Sequence, residues 1–249
     1  MEVWRLLLGF GGSFVAGYIG SVLGLVLGTL RLPLILIAAG SPAAGAGTNI
    51  AISAAAAGAG GLRHARAGRV NWRVVAWMAP PSMAGAVLGS LAAGSVPRAA
   101  LDGLIATVLV WSGVDVALRP IASRPRERLR VGRSVGYGLV IGAIGGAVGV
   151  ILGTLRMQAL LRSVGMDIRS AVGTNLVVGF LLGVAGFITH AAKLDVDWPL
   201  LGAGMAGALP GAWLGAHVTG RASERMLRLA LGLVLVAVGI AFAVEAALA

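Results

Sequence analysis

The chain is a succession of apolar runs, and their length decides what it can be. Runs 6–27, 43–62, 72–95, 99–118, 134–152, 171–192, 198–218 and 226–247 are each long enough to cross a bilayer as helix. Two shorter apolar runs, 32–40 and 157–165, each follow a Gly-Thr-Leu-Arg tetrapeptide. Of the 249 residues, 58% are hydrophobic and only 12% charged, where soluble domains carry roughly 25% charged residues. A water-soluble globule of this size could not hide so much apolar surface, so lipid is the expected solvent. The fold class expected is an all-α polytopic membrane protein. Cys is absent, which excludes disulfides, Cys-ligated zinc, iron–sulfur clusters and a thiol nucleophile. The start, Met1-Glu2-Val3-Trp4-Arg5, carries an acid and leads to no small-residue cleavage site, so it reads as a retained membrane segment.

A net charge of +11 and a pI near 11.8 usually suggest nucleic acid. Here most of the basic residues, all Arg except Lys193, sit in short loops between apolar runs. That is the positive-inside pattern of a polytopic membrane protein, and the sequence holds no nucleic-acid-binding motif. The long polar stretch 119–133 holds six Arg and one Glu. It divides the chain into a first repeat, 1–118, an Arg-rich cytoplasmic linker, 119–133, and a second repeat, 134–249.

The halves are copies. Gly20, Leu27, Gly28, Thr29, Leu30 and Arg31 recur at one fixed offset as Gly145, Leu152, Gly153, Thr154, Leu155 and Arg156. After one inserted residue, Gly47, Thr48, Asn49, His64, Val70, Trp72, Gly85 and Gly89 recur as Gly173, Thr174, Asn175, His190, Val196, Trp198, Gly211 and Gly215. Internal duplication in a membrane protein favours a transporter. Loop charge favours inverted repeats, because inversion gathers far more of the basic residues on one side than a parallel arrangement does. Inversion also explains why Arg69-Val70-Asn71 has become Asp195-Val196-Asp197. Each repeat is then a broken, short-helix hairpin plus three transmembrane helices. A nine-residue arm such as 32–40 spans about 13 Å of helix, which reaches only the middle of a ~30 Å hydrocarbon core. The tetrapeptides 28–31 and 153–156 are therefore expected to come from opposite faces and meet near the bilayer centre.

Arg31 and Arg156 are the sharpest chemical signal. An Arg at bilayer depth costs about 2.5–3.5 kcal/mol on insertion scales and usually faces a cavity or a partner. Each is expected at the start of a short helix, with Pro33 in a first turn where its missing N–H costs nothing. Helix N-termini and guanidiniums together favour an oxyanion. The competing reading is that each Arg snorkels to the interface as an anchor. Gly28-Thr29 and Gly153-Thr154 add close backbone approach and a hydroxyl donor. Upstream, Gly20, Gly24, Gly28 and Gly145, Gly149, Gly153 have the four-residue spacing of helix packing.

A second polar pair, Thr48-Asn49 and Thr174-Asn175, lies within otherwise apolar helices. Ser41-Pro42 reads as the N-cap and first residue of the earlier one. A buried Asn needs partners: a neighbouring helix or the substrate path, and both readings stand. His64 and His190 at equivalent helix ends are interfacial residues or, less naturally, proton shuttles. Trp72 and Trp198 read as interface anchors. The sequence offers no nucleophile–base pair, metal-ligand cluster or cofactor motif, so neither an enzyme nor a cofactor is expected.

These residues resemble the TauE/SafE family of sulfite exporters, duplicated membrane permeases. The likeness is carried by Gly20, Gly24, Gly28-Thr29-Leu30-Arg31-Leu32-Pro33, Gly47-Thr48-Asn49, Arg63-His64-Ala65-Arg66, Val70-Asn71-Trp72 and Gly85 to Gly89. The second copy has Gly153-Thr154, Gly173-Thr174-Asn175, Val196-Asp197-Trp198 and Gly211 to Gly215. The resemblance implies movement of sulfite, organosulfonates or related sulfur-containing anions across a bacterial inner membrane, often outward, by a multi-pass protein. One departure is the Arg in each half, where typical members carry consecutive glycines; it strengthens the expectation of an anion. The leading expectation is an alternating-access carrier with its anion site at the repeat interface. The alternatives are a passive anion channel and a non-transporting membrane scaffold. The partners expected are the bilayer and a small anion, with no nucleic acid; a homo-oligomer stays open.

Overall fold

A computed structural model describes residues 3–91, 98–119, 130, 132–148, 151–192 and 196–248. Most of the 119–133 linker, Gly149, Lys193 and Asp195 lie outside the described residues. Every regular element among the described residues is helical. In chain order they are α1 (Val3–Leu23), α2 (Gly28–Ala38), α3 (Pro42–Arg66), α4 (Trp72–Leu91), α5 (Arg98–Leu118), α6 (Gly132–Val148) and α7 (Gly153–Gln158). A π-helical turn (Ala159–Val164), α8 (Ile168–Ala192), α9 (Trp198–Arg221) and α10 (Glu224–Leu248) follow.

Among the described residues every apolar run falls mostly on helix. Three stretches, Val3–Leu23, Ile168–Ile188 and Glu224–Val244, are both long and apolar enough to cross a membrane. Others have the length without the hydropathy: α3 has 25 residues, yet is built from Ala, Gly, Ser, Thr and Asn. Large apolar side chains such as Leu7, Ile37, Trp111 and Leu233 are exposed on the helices, as lipid contact requires.

Helix starts follow the capping rules, and they follow them twice. The Ser41 hydroxyl accepts from the Ala44 N–H at the start of α3 (3.2 Å), and Asp167 accepts from Ser170 at the start of α8 (3.0 Å). Asn71 accepts from Val74 before α4, and Asp197 from Leu200 before α9, both at 3.1 Å. The short helices α2 and α7 instead start without a side-chain cap, at Leu27 and Leu152.

The chain forms two compact units. One comprises 1–70 and 172–221, the other 71–171 and 222–249. In the first, α9 runs parallel to α1: a Cβ on Gly207, Gly211 or Gly215 would overlap the carbonyls of Phe10, Phe14 or Tyr18. Absence of side chains lets these backbones touch. In the second unit, Gly85 and Gly89 of α4 sit in the same way on the carbonyls of Leu139 and Ala143 of α6. Also in the first unit, α8 runs antiparallel to α3, with Ala54 beside Gly183, Gly58 beside Phe180 and Gly61 beside Val177. In the second, α10 crosses α5 in the same antiparallel sense, Ala106 lying by Gly239 and Ala117 by Gly232.

The break in the first hairpin is not where the sequence places it. The chain leaves α1 at Gly24, whose φ of +69° is open to glycine. The Gly-Thr-Leu-Arg tetrapeptide is already the first turn of α2, and Pro33 lies inside that helix rather than in its first turn. At about 16 Å, α2 is still only half a hydrocarbon core long.

Candidate functional site

Arg31 is buried, at 3% exposure. Its backbone N–H closes the first α2 turn on the Leu27 carbonyl (3.3 Å), as that of Arg156 does on Leu152 (3.3 Å) in α7. The guanidinium turns onto α3. Nε donates to Asn49 Oδ1 (3.0 Å), and one Nη donates to the Asn49 carbonyl (2.9 Å) and to Ser53 Oγ (2.8 Å). The Asn49 amide returns a hydrogen bond to the Gly28 carbonyl (3.0 Å). Arg31, Gly28 and Asn49, expected as two separate groups, are thus one cluster, joined by Ser53. A Cβ on Gly28 would overlap Ser53 Oγ, so a larger residue there would displace the hydroxyl that Arg31 uses. The Thr29 side chain lies outside the described residues.

Every acceptor on Arg31 is neutral. No carboxylate pairs with it among the described residues. Beside it lies a small cavity of about 10 Å³, lined on its polar side by Ser21, Gly28, Arg31 and Ser53, with Ala56, Ala57 and Leu176 among its apolar walls. That is room on the order of one water. It is too little for an oxyanion, so this conformation is closed around the guanidinium.

Backbone carbonyls in the last turn of α1 and at the break find side-chain donors. Asn175 of α8 donates to the Gly24 carbonyl (2.7 Å). Thr219 of α9 donates to Val22 (2.9 Å), and His64 Nε2 lies 3.4 Å from the Ser21 carbonyl. Asn49 and Asn175, equivalent in the two repeats, therefore hold the two ends of one break. Broken helix within a membrane persists only where such partners exist.

Other expectations sort differently. Thr48 turns away from Arg31, and its hydroxyl accepts from the Asp197 N–H (2.8 Å), tying α3 to α9. Asp197 also pairs with Arg5 (3.1 Å), whose Nε reaches the Ala38 carbonyl. His64, in the last turn of α3, is fully buried; the side chain of His190 lies outside the described residues. Trp72 and Trp198 open α4 and α9 and are exposed. Thr174 is fully buried in α8. Gly153, Thr154 and Arg156 form the buried first turn of α7. Arg31 belongs to the first unit and Arg156 to the second. Sequence reasoning missed Ser21 and Ser53. The signal for Ser53 is its place one turn after Asn49 on an apolar helix face.

Residues 9–242 match the family described as sulfite exporter TauE/SafE. The chain is 26% identical over 248 residues to "Probable membrane transporter protein YjnA" of Bacillus subtilis (strain 168), covering 92% of this chain and 96% of that protein. It is 27% identical over 249 residues to a "Probable membrane transporter protein" of Xylella fastidiosa (strain 9a5c), covering 96% and 95%. A Sinorhizobium relative, "Probable membrane transporter protein ORF9", is 29% identical over 215 residues, covering 85% and 80%. No solved structure matches the chain. The match describes membrane transporters, not enzymes.

Proposed function

We propose that this chain, which belongs to the sulfite exporter TauE/SafE family, carries small sulfur-containing oxyanions such as sulfite or organosulfonates outward across a bacterial inner membrane. The observation that carries the reading is Arg31: a buried guanidinium at the start of a half-length helix, held only by neutral acceptors, beside a polar-sided cavity. Neutral acceptors satisfy its N–H groups but leave its charge uncompensated. An oxyanion entering here replaces them with shorter, charge-assisted bonds and meets the N-terminal end of α2. Opening the closed cavity and closing it again around the anion is the local event that alternating access needs.

In this reading Gly28, Thr29, Arg31 and Asn49 form one half-site, and Gly153, Thr154, Arg156 and Asn175 are its counterparts from the second repeat. Thr48 and Thr174 support it. The repeats, 1–118 and 134–249, are inverted and the protein is multi-pass, with the 119–133 linker in the cytoplasm. The antiparallel course of the equivalent pairs α3/α8 and α5/α10 supports inversion, because a two-fold axis in the membrane plane reverses every helix it relates.

The test is uptake by proteoliposomes offered sulfite, sulfate, thiosulfate, methanesulfonate and a carboxylate. Arg31→Ala is expected to cut affinity ten-fold or more while the protein stays inserted and monodisperse. Arg31→Lys is expected to recover little, since it keeps the charge without the planar fork. Unchanged affinity in both Arg31→Ala and Arg156→Ala would refute the site.

A further inference from the structure

One buried polar side chain in this region makes no hydrogen bond among the described residues. The Ser21 hydroxyl is buried, at 2% exposure, and Oγ has no hydrogen-bond partner among the described residues. Burying a hydroxyl without a partner is costly. Oγ lies against α3 at Gly60, in the space where a Cβ would overlap it. The duplication does not require it: the equivalent position in the second repeat is Gly146. Yet Ser21 lines the same cavity as Arg31, Gly28 and Ser53, from the α1 side of the break. Its backbone carbonyl is already taken up by His64 and Thr219, so the hydroxyl sits on a held backbone.

We infer that Ser21 is a specificity-determining residue whose hydroxyl donates to an oxygen of the bound anion. The inference rests on the oxyanion reading of this cavity and adds what α1 contributes. Arg31 supplies charge and direction from α2 and α3, and Ser21 supplies a neutral donor across the cavity. A hydroxyl donor rewards a ligand with an acceptor oxygen on each side. It therefore favours oxyanions over halides of equal charge. The unpaired hydroxyl of the closed conformation is the cost of having that donor ready.

The measurement is equilibrium binding to the purified full-length protein of sulfite, sulfate, thiosulfate, methanesulfonate and chloride, alongside thermal unfolding without ligand. Ser21→Ala is expected to weaken the tightest-bound oxyanion about ten-fold, the scale of one hydrogen bond to a charged group. Chloride affinity is expected to stay unchanged, so that selectivity narrows. The unliganded Tm is expected to stay level or rise, because an orphaned polar group has been removed. A structural Ser21 would do the opposite, lowering Tm and sparing affinity. Ser21→Cys, nearly isosteric but a poor donor, should behave as Ser21→Ala and serves if that variant does not purify. Unchanged oxyanion affinity in these variants overturns the role of Ser21. If Arg31→Ala still weakens binding in the same assay, the cavity stands and only Ser21 falls. If none of the probes binds the wild type, both readings fall.

Discussion

Arg31 illustrates how a buried cation is kept without a counter-ion. Its donors are met by one side-chain amide, one hydroxyl and one backbone carbonyl, all from a single face of α3. Asn49 is the pivot, because it serves Arg31 with its oxygens and Gly28 with its amide. Asn49→Ala orphans groups on both sides, and each unsatisfied buried group costs about 1–3 kcal/mol; a clear fall in Tm is expected. Asn49→Asp separates structure from function. It keeps an acceptor for Arg31 and adds the missing counter-charge, so Tm should fall less than for Asn49→Ala. Anion affinity should nonetheless drop ten-fold or more, because the cation is already neutralised. Retained affinity in Asn49→Asp would show that the charge of Arg31 is not what binds. Arg31 and Asn49 were legible in the sequence because the duplication repeats them. Ser21 and Ser53 were not, since their counterparts are Gly146 and Gly179. A search for what recurs passes over what only one copy carries.

Among the elements, long helices were legible and the break was not. The run 43–62 became Pro42–Arg66 and the run 198–218 became Trp198–Arg221, because capping residues and apolar length are local signals. The end of α1 at Gly24 is set by partners on other helices, Asn175, Thr219 and His64. No local pattern announces those. The four-residue glycine spacing of Gly20, Gly24 and Gly28 falls at the break and not along one packed helix, whereas Gly207, Gly211 and Gly215, which sequence reasoning did not single out for packing, make the backbone contact between α9 and α1. Gly211→Ala forces a Cβ onto the Phe14 carbonyl, and overpacking of this kind costs about 1–3 kcal/mol. Gly202, in the same helix, has open space where a Cβ would go. Thermal unfolding in detergent should show Gly211→Ala lowering Tm, and Gly202→Ala leaving it level or raising it, since Ala is the better helix former. Equal effects would mean that the contact contributes nothing.

For the whole molecule, the test of inversion is topology. Equivalent helix ends must face opposite sides of the membrane if the repeats are inverted, and the same side if they are parallel. The natural sequence has no Cys, so single Cys labels report cleanly. A Cys at Ala65, near the end of α3, and one at Ala192, at the end of α8, are expected to react with an impermeant maleimide from opposite sides. Reaction of both from the same side would rule inversion out. The helical class and the membrane-protein character were legible from the chain. The composition of the two units was not, because each draws helices from both repeats, and that depends on contacts far apart in sequence.

The break after α1 also sets an order of events during synthesis. The Arg31 cage is complete once Ser53 has been made, because Gly28, Arg31, Asn49 and Ser53 lie close together in the chain. The carbonyls of Gly24 and Val22 must wait for Asn175 and Thr219, which follow 151 and 197 residues later. At ~5–20 residues per second that delay is roughly 8–40 s. Through that interval the newborn hairpin has its cation settled and its unwound turn unsatisfied. It therefore stays near water, or in the care of the insertion machinery, until the second repeat arrives to close it.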